Sequence, residues 1–529
     1  MRVTWARRLL ATCVPTAAVI AAFVAPGAAH AELLLQCEGA NILGRGSTFQ
    51  GAIAQDSVWN PDFNTSVNGT GCSGTQGTGA KPTVEYLQKE EEDRGSGACL
   101  KAFGVGVTVA KFDRYSFCGT DEAPNETQKN EIERFASGAE AKSLETIPVL
   151  QGAVTISVHL PAGCVASAEF KEGEKTIKLG RLVLNDKTLE GIYRGTINKW
   201  SEITDSGDKL TAEKGKTCNA EDEITRVVRK DKSGTTHIFK EFLASTDRLN
   251  GTGEENKAAE EKWLEKPGVE RTWREVASGS ENVEWPEAAK VVRPAANGGP
   301  EVVAKVAATE SSIGYADLAD TFANGSFNKK SLGGGEKQNK FWVELQKKTL
   351  APVLYADPAA KKDTESAGNA NCAKTVYTNG EEVFPPSSTR ELWNTAQAQL
   401  NESTYSLCGL SYDLVLRQYG KYHDELGGIG AQPTEAQATT AESYLLFELN
   451  TKTAGGGKLI AENHEYEKLP SSLVDEAEDG VEEVGYNISG VKFTTCKKEA
   501  TEGTGTLFYK SLKECETLNA PGVKGFYKR

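Results

Sequence analysis

Apolar and polar residues along this chain follow two periods, one suited to strands and one to helices. Thr146 to Leu160 is almost continuously apolar and predicts a buried strand. Ile224, Val227 and Val228 predict another strand, after which the period changes. Ile238, Phe239, Phe242 and Leu243 recur at helical spacing, so Ser233, Gly234 and Thr235 fall at a helix start. Near the beginning, Ala40 to about Thr48 reads as a strand and a glycine-bounded turn, with a short helix from Phe49 through Ala52, Ile53 and Ala54. Val105 to Val109 predicts a strand, Gln128 to Phe135 a polar helix and Lys187 to Tyr193 a further helix. Strands alternating with helices imply an α/β layered fold.

Outside these periods lie segments of other character. Residues 68 to 81 are rich in Gly and Thr and predict a loop carrying Cys72, and 325 to 338 and 356 to 384 predict glycine- and charge-rich loops, the second with Cys372. Lys-Glu-Glu-Glu-Asp at 89 to 93 reads as a solvated surface run. Beyond Gly485 a tail with Cys496 and Cys515 predicts a small disulfide-held appendage. Trp200, Trp263, Trp273 and Trp285 are expected in the core rather than as a ligand platform, and Tyr315 in packing at a hinge.

The first 31 residues have the pattern of an export signal: Arg2, Arg7 and Arg8, an apolar stretch from Leu9 to Val24, then Ala29-His30-Ala31 as a cleavage site. Cleavage after Ala31 is expected, although Leu10-Ala11-Thr12-Cys13 leaves a lipid anchor at Cys13 open. The chain has 11 cysteines, and setting Cys13 aside leaves an even ten, which in an exported chain predicts disulfides whose pairing stays open. Zinc is not expected, because no CxxC occurs and the histidines at 159, 237, 423 and 464 are scattered. The 529 residues have room for two or more lobes, and 38% hydrophobic content suits a globular protein. With 60 Lys and Arg against 74 Asp and Glu, the net charge of −14 argues against nucleic acid as a partner. A small anion in a pocket of local donors remains compatible with it.

Candidate chemistry concentrates at strand-to-helix turns. Arg229 and Ser233-Gly234-Thr235 bring a cationic fork, two hydroxyls, a glycine that allows close approach and the unpaired amides of a helix start, which together would suit an oxyanion. A capping serine beside a solvated arginine is the alternative. Gly44-Arg45-Gly46-Ser47-Thr48-Phe49 could present the amides of Thr48 and Phe49, and Gly95-Ser96-Gly97 is a weaker turn of the same kind. Phe117-Cys118-Gly119-Thr120-Asp121-Glu122-Ala123-Pro124 carries Asp121, either as a helix N-cap or as part of a site.

Taken in this order, the motifs resemble the phosphate-binding proteins of bacterial phosphate ABC transporters, the PstS-like branch of the bilobal periplasmic binding proteins. Gly-Arg-Gly-Ser-Thr-Phe matches that family's glycine-rich turn, Thr-Asp-Glu-Ala-Pro its aspartate motif, and Arg229 to Thr235 its arginine and Ser-Gly-Thr motif. Ile147-Pro148-Val149 with Gly152-Ala153-Val154, Leu189 to Trp200, Asn297-Gly298-Gly299 with Ser312 to Ala316, and Leu445 to Leu473 extend the likeness over roughly residues 37 to 487. The stretch from Tyr86 to Gly95 is about five residues longer than the family spacing, and the insertions near 320 to 405 and the tail after 487 lie outside the common pattern.

The resemblance implies a two-lobed type II periplasmic binding protein fold, each lobe a central mixed sheet flanked by helices, with the ligand in the cleft. It implies a signal peptide at 1–31, a first lobe from 32–147 plus 312–487, a second lobe at 148–311 and an extension at 488–529. Phosphate would be surrounded by Thr48, Phe49, Ser96, Asp121, Arg229, Ser233, Gly234 and Thr235, with Asp231 orienting Arg229. Asp121 would accept the proton that phosphate carries and sulfate lacks, and so act as the selectivity filter. The implied role is a monomer, without cofactor or catalysis, located in a periplasm or at the cell surface, that passes phosphate to a membrane permease. Two other readings compete. A phosphate-ester hydrolase would need a nucleophile or metal cluster, and a secreted adhesion or interaction protein on the same scaffold would have lost phosphate binding.

Overall fold

The computed structural model describes residues 39 to 487 except for internal segments, the longer being 66–81, 249–259, 328–338 and nearly all of 360–404. The expected signal peptide, the loops carrying Cys72 and Cys372, most of the charge run and the tail after 487 lie outside the described residues.

The chain begins with β1 (Ile42–Arg45), then α1 (Thr48–Gln50), which continues through a π-helical stretch, Gly51–Trp59, into α2 (Asn60–Thr65). There follow β2 (Val84–Leu87), α3 (Ser96–Ala102), β3 (Cys118–Thr120), α4 (Glu126–Glu133) and the long β4 (Leu144–His159). After α5 (Asp186–Arg194) come β5 (Thr225–Val227), α6 (Gly234–Arg248), α7 (Gly299–Ala308), β6 (Ser312–Asp317), α8 (Leu318–Ala323) and β7 (Lys340–Trp342). The described part closes with β8 (Cys408–Leu416), α9 (Glu435–Leu449), α10 (Gly456–Asn463) and α11 (Ser471–Val481).

The fold is the two-lobed α/β type, and β4 is its spine. The main sheet has the order β5-β6-β4-β8-β3, with β7 also on β4. Leu144 to Ala153 pairs antiparallel with β8, whereas Val154 to His159 pairs antiparallel with β6. One strand therefore serves both halves, and all 16 of its residues are buried. A strand covered on both faces need not alternate as a half-solvated one does, and although the second half of β4 alternates apolar with polar residues, Thr155, Ser157 and His159 are buried with the rest. Thr225–Val227 pairs parallel with Ser312–Gly314 of β6, so Arg229 leaves the sheet next to the strand that carries Tyr315.

Most predicted elements are present with ends displaced by one or two residues. Val105 to Val109 is a correction. Gly104 and Gly106 take φ values of 111° and 68°, a turning backbone, and only Val109 makes an isolated bridge, to Glu425. Trp200, Trp263, Trp273 and Trp285 are buried, as expected. Around Trp285 pack Tyr193, Phe239 and Tyr315, the last two stacked with ring centroids 4.6 Å apart. Two disulfides lie wholly among the described residues, Cys99–Cys118 and Cys164–Cys218. The first ties α3 to β3.

Candidate functional site

Helix starts converge from both sides of the cleft. Ser47 caps α1 by accepting from the Phe49 amide at 3.0 Å. Gly95 precedes α3 with φ 86°, and Asp231 lies so close that a Cβ at Gly95 would stand 2.6 Å from its carboxylate. Ser233 caps α6 by accepting from the Thr236 amide at 3.2 Å. Gly298 precedes α7, which has a proline in its first turn. Each start points the positive end of a helix dipole inward, and side chains of the neighbouring turns accept from several of its first amides.

Asp121 lies where these starts meet. It is buried, and its amide donates to Ser96 Oγ at 3.0 Å, the oxygen that also accepts from the Gly234 amide at 3.1 Å. Its Oδ1 accepts from Ser47 Oγ at 2.5 Å and from Ser411 Oγ at 2.6 Å. Its Oδ2 faces Thr235 Oγ1 at 3.4 Å. It caps no helix, because Asn125 caps α4 in a capping box with Gln128. Gly234 is required by this closeness: a Cβ there would meet Ser96 Oγ at 2.5 Å and Asp121 Cβ at 2.6 Å.

Arg229 approaches from β5. Its Nε donates to Asp231 Oδ1 at 2.7 Å and its Nη2 to Asp231 Oδ2, a two-point ion pair. The Arg229 side chain is 1% exposed, and its Nη1 has no hydrogen-bond partner among the described residues. A buried cationic donor left unmatched costs far more than an exposed one, so this atom marks where an anion would sit. Asp231 Oδ1 also accepts from the Gly298 amide at 3.2 Å, and Thr48 Oγ1 accepts from the Gly299 amide at 3.3 Å.

Thr48, Phe49, Ser96, Asp121, Arg229, Ser233 and Thr235 are all buried, and hydrogen bonds join Ser96, Asp121, Gly234 and Thr235 directly. The Phe49 amide is occupied by Ser47 rather than open, and the Phe49 backbone oxygen accepts from Tyr466 Oη at 2.5 Å. Reading the sequence missed Ser47, Ser411, Gly298 and Gly299. Ser47, Gly298 and Gly299 stood inside quoted motifs without a ligand role, whereas Ser411 lies 290 residues from Asp121 and has no local signal. Tyr315, expected only to pack, also reaches Thr236 Oγ1 at 2.7 Å.

The carboxyl groups here are poised. Burial pushes Asp121 up to about 6, against the hydroxyls of Ser411 and Ser47 and the charge of Arg229, which favour its ionised form. Asp317, which caps α8, is raised by burial to about 6, and its neighbour Asp320 is raised by burial and by Asp317. Burial works against the charge of Arg229, but Asp231 outweighs it and the net direction is upward.

The family model for the PBP superfamily domain matches residues 36–383. The chain belongs to the PBP superfamily. A curated relative in this setting is the phosphate-binding protein PstS of Methanocaldococcus jannaschii, 25% identical over 309 residues. That match covers 57% of this chain and 64% of the relative, so the chain spans just under two thirds of the relative's length. Among solved structures, the ancestral soluble variant of the human phosphate binding protein superposes with a TM-score of 0.50 at 17% identity, covering 82% of this chain and 92% of that one. A phosphate binding protein from Stenotrophomonas maltophilia gives 0.48 at 15% identity, covering 83% and 93%. At 17% identity the first of these likenesses concerns the PBP fold alone.

Proposed function

We propose that this chain binds inorganic phosphate in its cleft, outside the cytoplasm, and delivers it to the membrane permease of a phosphate ABC transporter, acting as a binding protein and not as an enzyme. The observation that carries the reading is the buried Arg229 Nη1 without a partner among the described residues, on a guanidinium near enough to Asp121 to favour its charged form. Donors of this kind suit unprotonated oxygens, and Asp121 suits an oxygen that carries a proton. Phosphate at neutral pH has both kinds. The name of the Methanocaldococcus jannaschii relative adds support.

Access would come by hinge motion. In this structure the cleft is shut by short contacts between its walls, such as Gly97 N donating to the Lys232 carbonyl at 3.0 Å. Opening would release these contacts and expose the network around Asp121. We assign 32–147 and the chain from β8 to residue 487 to the first lobe, and 148–311 with β6 and β7 to the second. The pairing of β6 with β5 and with the second half of β4 supports placing it in the second lobe rather than the first.

Isothermal titration of the purified protein, freed of bound ligand by partial unfolding and refolding, with phosphate and then sulfate at neutral pH tests the proposal. One-to-one phosphate binding without a sulfate signal is expected. Absence of binding to either anion would overturn it.

A further inference from the structure

The carboxylate at the centre of the site is held by a hydroxyl from the far end of the chain. Ser411 lies on β8, where Tyr412 pairs with Thr120 of β3, so Ser411 comes level with Asp121 just beyond the end of β3. The pairing of β8 with β4 shifts at this point. Ser411 is opposite Leu150 but Tyr412 is opposite Pro148, which leaves Val149 as an extra residue on β4. Pro148 has no N–H to give to the ladder, and a bulge beside a proline re-aims the side chains next to it.

The hydrogen bonds orient the Ser411 hydroxyl. Gln50 Nε2 donates to its oxygen at 3.3 Å, and the hydroxyl in turn donates to Asp121 Oδ1 at 2.6 Å. Ser47 donates to the same Oδ1. Both hydroxyls therefore act on one carboxylate oxygen, and Oδ2 is left facing Thr235 and the cleft.

We propose that Ser411 is a positioning residue for ligand selectivity: by binding Oδ1 it keeps Asp121 ionised and turns Oδ2 toward the ligand proton, and so sets the pH below which phosphate and sulfate are no longer told apart. This rests on the phosphate reading above. The charged and titratable groups facing Asp121 are Arg229 with its partner Asp231, Asp317 and Asp320 at the start of α8, and the phenols of Tyr86 and Tyr466. Arg229 favours the carboxylate and Asp317 opposes it. Burial raises both phenols, so they stay neutral. None of these groups changes when Ser411 is replaced, nor does the ionisation of phosphate itself.

The test is titration of the refolded protein with phosphate and sulfate from about pH 5 to about pH 8, for the unaltered chain, Ser411→Ala, Asp121→Asn and the double variant, with circular dichroism confirming each fold. In Ser411→Ala the acid-side fall in phosphate affinity should move upward by about one pH unit, because one charge-assisted bond to the carboxylate is lost. In the Asp121→Asn background the same substitution should leave the pH profile where it was. A Ser411→Ala profile that superimposes on that of the unaltered chain would overturn the proposal, as would an equal loss at every pH that persists beside Asp121→Asn. If the unaltered chain binds neither anion, the phosphate reading falls and this inference with it; phosphate binding with an unmoved Ser411→Ala profile sinks the inference alone.

Discussion

Arg229 and Asp231, two residues apart, close a two-point ion pair that uses Nε and Nη2 and leaves Nη1 of the guanidinium turned away. A carboxylate so placed fixes the fork and cancels much of its charge, yet leaves its remaining donors for a third party. Lysine, with three donors on one tetrahedral nitrogen, lacks the planar fork needed to do both. Arg229→Lys should therefore weaken phosphate binding by about 100-fold or more, given charge-assisted bonds of about 1.5–3 kcal/mol each. Titration calorimetry checks this, and a loss under about threefold would mean that Nη1 does not meet the ligand.

Asp121→Ala removes the carboxylate that Ser47 and Ser411 hold, while the Asp121 amide keeps its bond to Ser96. Phosphate affinity should drop and the margin over sulfate should shrink, since a site built for a ligand hydroxyl loses its reason to reject an anion without one. Competition between the two anions reads this directly. An undiminished preference for phosphate would remove Asp121 from the role of filter.

Gly234→Ala puts a methyl group where Ser96 Oγ and Asp121 already press. Overpacking of this kind costs about 1–3 kcal/mol, and here it should be met by keeping the cleft from closing. The expected outcome is a phosphate affinity lower by about 10-fold or more, with a larger radius of gyration by small-angle scattering in saturating phosphate.

Cys99 and Cys118, 19 residues apart in sequence, lie three residues from Ser96 and Asp121 respectively and tie their turns together. Replacing both by alanine should cost about 3 kcal/mol of stability from loop entropy. It should also weaken phosphate binding, because α3 and β3 lose their covalent tie. Calorimetric unfolding and anion titration of the same sample would show the two effects together.

A second carboxyl pair, linked to Ser411 through Gln50, governs stability against pH. Asp413 is raised by burial to about 7, and Glu448 beside it is raised further by burial and by Asp413. Gln50 and Gln55 donate one amide hydrogen to each. The folded state holds its proton more tightly than the unfolded chain does. Stability from this pair is thus fully present below the ordinary aspartate value of about 4 and is lost as pH rises through about 7. Urea unfolding between these limits should show a declining midpoint, and Asp413→Asn, which carries its hydrogens permanently, should flatten the decline.

Much of this architecture could be read along the chain. The apolar run of β4 and the change of period from Val228 to Ile238 place the spine and α6 correctly, because burial on both faces and a one-sided helix leave local traces. Val105–Val109 misled because apolar alternation says nothing about two glycines with positive φ. The residues that complete the network were hidden for another reason. Ser411 meets Asp121 only through strand pairing across 290 residues, and Gly299 meets Thr48 across 251, so no window of sequence contains either relation.

The strand from Leu144 to His159 also has a bearing on how the molecule comes apart. Its first ten residues pair with β8 and its last six with β6, so neither half can lose its order without tearing backbone bonds in the other. Unlike two beads on a flexible string, the halves share one melting event. Differential scanning calorimetry should trace a single endotherm, with ligand raising it as a whole, and a lesion in either half should lower the survival of both in a cell that degrades what unfolds.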